Sequence, residues 1–167
     1  TNTGKALIMG IEGTTDINLQ SLFYNPGLFN FNIFINLSYI NSKYVNSNEP
    51  GVTGNKVEFV PDLNFKTGIK FGYKNFATYL QYSYLSDQFT DSSNAILSNL
   101  SGVIGLIPSY DIMDFSISQK FKNFKLEMGI NNVLNNNYFT RRATGYPGPG
   151  IIPSPPRNFY LTTQFKI

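Results

Sequence analysis

Apolar and polar residues alternate with a period of two along most of the chain, the spacing of a β-strand with unlike faces. In the clearest run, Phe29, Phe31, Ile33, Ile35, Leu37 and Tyr39 oppose Asn30, Asn32, Asn36 and Ser38, and Phe34 alone breaks the order. From Leu63 to Tyr73, Leu63, Phe65, Ile69, Phe71 and Tyr73 oppose Asn64, Lys66, Gly68, Lys70 and Gly72. Similar runs predict strands over Ala6 to about Phe23, Phe76 to Leu85, Tyr110 to Phe121, Phe124 to Asn131 and Asn158 to Ile167, seven in all. A half-buried strand of a soluble protein gives the same pattern, so alternation alone does not settle the solvent.

The connections do more. Tyr24-Asn25-Pro26-Gly27, Lys74-Asn75 and Lys122-Asn123 read as tight turns, whereas Ser42 to Asp62, Ser86 to Ser109 and Asn132 to Arg157 are long. Short and long connections alternate strictly, as in transmembrane barrels with short periplasmic turns and long outer loops. A soluble sandwich would mix lengths at both ends. The expected fold is therefore all-β, an antiparallel transmembrane β-barrel. Barrels of this kind have an even strand count, so seven strands ending on an inward run suggest part of a larger barrel, with earlier strands absent. Lipid demands a partner for every backbone polar group, so such a piece alone would leave two aggregation-prone edges and would not persist as a soluble monomer.

Composition agrees. The chain is 16% aromatic and only 14% charged, against about 25% charged in ordinary soluble domains. Asn, Ser, Thr, Gly and Tyr supply its polarity, which suits a sheet with lipid on one face and water on the other. Tyr39, Tyr44, Tyr73, Tyr82, Tyr84, Phe89, Tyr110, Phe121 and Phe124 fall near strand ends, where interfacial aromatic girdles belong. The net charge of +3 comes from basic residues spread singly along the chain, unlike a nucleic-acid-binding patch. With neither Cys nor His, the chain lacks thiol nucleophiles, the commonest general base and the commonest transition-metal ligand. Enzymatic catalysis and a resident cofactor are not expected.

Several segments carry a specific likeness. Gly129-Ile130-Asn131-Asn132-Val133-Leu134-Asn135, followed by Tyr138, resembles the G-x-x-N-hydrophobic-hydrophobic-[DN] segment opening the last hairpin of TonB-dependent outer-membrane receptors. The run from Phe139 through Arg141-Arg142 to Pro153 is similar to the last loop of the ferric-citrate branch of that family. Asn2 to Glu12, Gly54 to Pro61, Ser86 to Asp91 and Ile107 to Tyr110 look like further family segments in the right order. The resemblance implies that residues 1–167 form the C-terminal part of a plugged barrel of roughly 22 strands, in the outer membrane of a Gram-negative bacterium. The complete protein would import a ferric chelate, iron-citrate or another siderophore, as transported ligand. Its implied partners are outer-membrane lipid and lipopolysaccharide, the TonB complex through an N-terminal plug, and the barrel-assembly machinery through the last strand. A porin, an adhesin or a soluble β-sandwich binding module are the competing readings.

Arg141, Arg142 and Arg157 bracket the last long loop. Planar, permanently charged guanidinium groups suit an anionic carboxylate ligand, but equally loop acids or lipopolysaccharide phosphates. The outward residues Phe159, Leu161, Phe165 and Ile167 match the family's C-terminal assembly signal, although the family usually ends on Phe or Trp. Asp87, Asp91, Asp111 and Asp114 fit no standard calcium loop, and the prolines in Gly145 to Gly150 remove the N–H groups that a phosphate cradle needs.

Overall fold

The computed structural model describes residues 3–22, 27–145 and 148–166. Seven strands form one antiparallel sheet in the order β1-β2-β3-β4-β5-β6-β9. They are β1 (Lys5–Asn18), β2 (Phe29–Asn46), β3 (Leu63–Tyr73), β4 (Phe76–Leu85), β5 (Tyr110–Lys120), β6 (Phe124–Asn131) and β9 (Asn158–Phe165). A separate hairpin, β7 (Phe139–Ala143) with β8 (Gly150–Pro153), lies within the last long connection. The sheet is open, with β1 and β9 as its edges.

The register converts the period-two pattern into two surfaces. Ile17, Ile33, Ile69, Leu80, Phe115, Ile130 and Phe159 are successive cross-strand partners, an apolar row spanning all seven strands. One residue along, Asn18, Asn32, Lys70, Tyr79, Ser116, Gly129 and Tyr160 form the corresponding row on the other face. β-Branched and aromatic side chains favour this half-covered pleated surface.

Among the described residues the apolar face has no second layer. The accessible area is 11134 Å², whereas a compact soluble monomer of this mass exposes roughly 8,300 Å². The only buried hydrophobic residues among those described are Tyr44, Val52 and Ile107, and all three lie at the long-loop end. Among the described residues no sealed core of Phe and Ile rows exists, so the sandwich reading fails on packing.

Most strand limits match the sequence expectation, with six differences, the first being that β9 ends at Phe165, before the expected Ile167, which lies outside the described residues. β1 ends at Asn18 and a 3-10 turn, Gln20–Leu22, follows it. The connection to β2 thus occupies 19–28, longer than the tight turn expected there; Tyr24, Asn25 and Pro26 lie outside the described residues. β5 stops at Lys120, leaving Phe121 in the turn. β2 runs on to Asn46 because β1 pairs with it as far as Lys5–Asn46, and the first long loop folds back onto its other edge: the Tyr44 N–H donates to the Asn55 carbonyl at 2.9 Å, and the Gly54 N–H donates to the Tyr44 carbonyl at 2.8 Å. The β7–β8 hairpin was not foreseen in the last loop.

Candidate functional site

All three long connections, residues 47–62, 86–109 and 132–157, leave the sheet at one end, and the short turns close the other. The polar face and this loop cluster are the surfaces available to a solute.

On the polar face Phe34, the exception in the β2 pattern, lies over Gly68 of β3. A Cβ on Gly68 would stand 2.4 Å from Phe34 Cε1 and 2.6 Å from the Leu80 carbonyl oxygen. The Phe34 ring stacks on Tyr79 with centroids 6.0 Å apart, and Lys70 Nζ lies 5.3 Å from the Phe34 centroid, a cation–π distance. Tyr160 covers Gly129 in the same way, with Cε1, Cζ and the hydroxyl oxygen 2.3 to 2.5 Å from where a Cβ would be. The Tyr160 hydroxyl donates to Glu127 Oε1 at 3.3 Å, and Lys125 Nζ donates to Glu127 Oε2 at 2.6 Å. Each glycine is thus the recess into which an aromatic ring from the neighbouring strand lies down, and Gly129 of the recognised motif has a physical reason.

The loop cluster has its own small core. Ile107 is fully buried, and the bridge between Gln88 and Ile107 closes the second loop on itself. The first loop joins it through Asn94, whose side chain accepts from the Lys56 N–H at 2.7 Å and donates to the Lys56 carbonyl at 2.9 Å. Lys56 and Asp62 form an ion pair within the first loop. Tyr44 lies beyond the last β2–β3 pair, Tyr39 with Leu63, and so outside the part of β2 paired on both sides. Its hydroxyl donates to Glu58 at 2.6 Å, and this bond, with burial and the Glu58 and Glu49 charges, raises its pKa to about 12.

The third loop is fastened by asparagines. Asn132, with φ of 54° and 2% exposure, donates its side-chain amide to the Asn136 carbonyl and accepts from the Asn136 N–H. Its own N–H donates to Asp114 Oδ1 at 2.9 Å, and Asn136 Nδ2 donates to the carbonyl and carboxylate of Asp111. Asp111 and Asp114 are therefore engaged in holding the loop, and Asp91 accepts from Ser93 in a local turn. Among the described residues, no group of three or more acidic side chains is placed to hold a metal ion.

The arginines separate. Arg142 is half-buried; its terminal nitrogens donate to the Gly102 carbonyl at 2.9 Å and the Leu106 carbonyl at 2.8 Å, and its guanidinium lies 5.2 Å from the Phe139 centroid. It clamps the β7–β8 hairpin to the second loop. Arg141 and Arg157 are exposed, with no side-chain partner among the described residues. Phe159, Leu161 and Phe165 are exposed on the apolar face of the edge strand β9, and Ile167 lies outside the described residues. Two of the expected girdle aromatics face the other way: Tyr44 is buried beneath the first loop, and Tyr110 stacks on Tyr138 at 4.7 Å.

Residues 1–133 match the family described as TonB dependent receptor-like, beta-barrel. The ferric citrate transporter FecA in its unliganded form is similar at 25% identity and a TM-score of 0.83, over 96% of this chain and 24% of that one. The ferric yersiniabactin uptake receptor FyuA of Yersinia pestis gives 17% identity and 0.74, over 98% and 24%. The siderophore receptor PiuA of Acinetobacter baumannii gives 19% and 0.70, over 97% and 22%. The chain thus spans about a quarter of the length of these structures.

Proposed function

The chain belongs to the TonB-dependent receptor-like β-barrel family, and on that premise we propose that it is the C-terminal wall of an outer-membrane receptor that imports a ferric chelate. The carrying observation is the continuous apolar row across all seven strands, backed by a face of Asn, Lys, Ser and Gly, with nothing covering the apolar side. Hydrocarbon on one face and an aqueous, plug-filled lumen on the other account for both surfaces. In this reading the short turns face the periplasm, the loop cluster faces outward beside lipopolysaccharide, and an N-terminal plug relays energy from TonB. The outward row Phe159, Leu161 and Phe165 on β9 suits recognition by the barrel-assembly machinery. The role is reception and transport, with no chemical step on the ligand.

Iron-citrate is the first candidate ligand, supported by the last-loop resemblance and by the likeness to the ferric citrate transporter. Arg141 and Arg157 are the groups of this chain proposed to meet an anionic chelate, since Arg142 already holds loop carbonyls. The test is uptake of radiolabelled ferric citrate by cells carrying the intact gene. Changing Arg141 and Arg157 together to Ala is expected to lower uptake by at least about tenfold, the loss of one or two charge-assisted hydrogen bonds. Undiminished uptake, with receptor present in the outer membrane at normal levels, would remove the assignment.

A further inference from the structure

The turn end of β5, β6 and β9 carries a feature that transport leaves unused. Lys120 and Lys125 are direct cross-strand partners, and Lys125 is followed across the sheet by Gln164. Lys122 occupies the intervening turn, and the Lys166 N–H donates to the Asn123 carbonyl at 2.9 Å. Like charges directly opposed across a strand pair are destabilising. Lys125 is paired with Glu127 at 2.6 Å, and Lys120, Lys122 and Lys166 have no ion pair among the described residues. A group of ammoniums in which only Lys125 has an ion pair among the described residues is an arrangement that an anion would relieve.

The same end is also apolar. Phe121 and Phe124 stack with centroids 4.3 Å apart and planes 11° from parallel, and Phe165 follows 6.0 Å from Phe124. Phe124 and Phe165 are a cross-strand pair in line with Met128 and Leu161, on the apolar face. Lysines and rings together line one open pocket of about 560 Å³. We propose that this pocket binds an anionic phospholipid of the periplasmic leaflet, its phosphate among the lysines and its acyl chains along the phenylalanines. A soluble anion would use the lysines and leave the rings without a role; a neutral lipid would do the reverse. Lysine stems lie along apolar surface while their heads reach a polar boundary, so cations of the last row can gather round a headgroup at the rim. Each such cation contributes roughly a fivefold factor in affinity for an anionic lipid surface.

The proposal rests on the membrane orientation given above, and its test separates the two. The full-length receptor, stripped of lipid in detergent, is titrated with phosphatidylglycerol or phosphatidylcholine, and retained lipid is counted by native mass spectrometry. Phosphatidylglycerol is expected to be retained over phosphatidylcholine. Changing Lys122 and Lys166 together to Gln is expected to reduce its affinity by roughly 30-fold. Lys74→Gln, on the neighbouring turn outside the pocket, leaves binding intact, and excess inorganic phosphate fails to displace the lipid. Heat-modifiable gel mobility reports that each variant barrel is folded. Equal retention of the two lipids, an unaffected double variant, or displacement by inorganic phosphate overturns the pocket. A receptor that does not fractionate with the outer membrane overturns the orientation as well.

Discussion

Replacing Gly68 by Ala adds one methyl group to the polar face and should damage the barrel, because the recess it fills is already occupied. The new Cβ would meet Phe34 Cε1 at 2.4 Å, the Leu80 carbonyl oxygen at 2.6 Å and Phe34 Cζ at 2.8 Å. Ordinary contacts between such atoms lie near 3.5–4.0 Å, so both a ring and a backbone strand must move by about an ångström. The ring cannot leave without breaking its stack on Tyr79 and withdrawing from Lys70. Overpacking of this kind costs about 1–3 kcal/mol. Gly72 provides the internal control: it lies four residues on in the same strand, on the same face, and its Cβ would meet nothing closer than 3.5 Å. Gly72→Ala should be neutral or stabilise slightly, by up to about 1 kcal/mol, through the lost freedom of the unfolded chain. Urea unfolding of the detergent-solubilised receptor reads the difference as a midpoint lower by about 1 M for Gly68→Ala than for Gly72→Ala. In a Phe34→Ala background the penalty of Gly68→Ala should shrink, since the two sites share one contact. Equal midpoints for the two single variants would refute the recess argument.

Arg142→Ala removes two charge-assisted hydrogen bonds to the Gly102 and Leu106 carbonyls, so amide exchange across 95–106 should rise by at least about tenfold; unchanged exchange would show that the clamp holds nothing. Asn132→Leu strips the bonds to Asn136 inside a buried knot and puts a side chain that disfavours it at a positive φ, for a loss of about 2–3 kcal/mol in unfolding free energy. Asn132→Gly tests the backbone part alone and should recover some of that loss. Tyr44 has its pKa raised from 10.0 to about 12, so the folded state holds the phenolic proton longer than the unfolded one. Its contribution to loop stability is present in full below pH 10 and is lost as pH rises through about 12. Ultraviolet titration against Tyr44→Phe should therefore show one tyrosine ionising near pH 12 in the wild type.

The strands with both neighbours in the sheet were legible from sequence, because a residue between lipid and water has to alternate. Leu63–Tyr73, Phe76–Leu85 and Phe124–Asn131 begin and end where the alternation does. β2 outran the reading after Tyr39: Asn41 and Lys43 then occupy the apolar parity while Ser42 and Tyr44 are buried on the other, as the strand passes into the loop cluster. The reversal is the signature of leaving the hydrocarbon, and in the sequence alone it looks like an ending. β7 and β8 are hidden in the sequence because they are only five and four residues long, a Gly- and Pro-rich stretch joins them, and on β7 only Phe139, Arg142 and Ala143 have cross-strand partners. The role of Arg142 was invisible because its acceptors are carbonyls 36 and 40 residues away, which no side-chain pattern announces. The sequence does carry a signal for the recesses, an aromatic at polar parity opposite a glycine: Phe34 with Gly68 and Tyr160 with Gly129.

The mutual fastening of the three long loops constrains how this end of the protein can diversify. Surface loops of a cell-envelope protein meet phages and antibodies and ordinarily drift faster than the framework beneath them. Here Arg142 in one loop reads the carbonyls of another, and Asn94 reads the backbone at Lys56 in a third. A length change in residues 95–106 would displace the Arg142 acceptors, so insertions there should recur in related genes only with altered residues at 139–143. Sequence variation in this region is therefore expected to proceed by exchange of whole loop sets, while the exposed tips at Leu97 and Leu100 change singly.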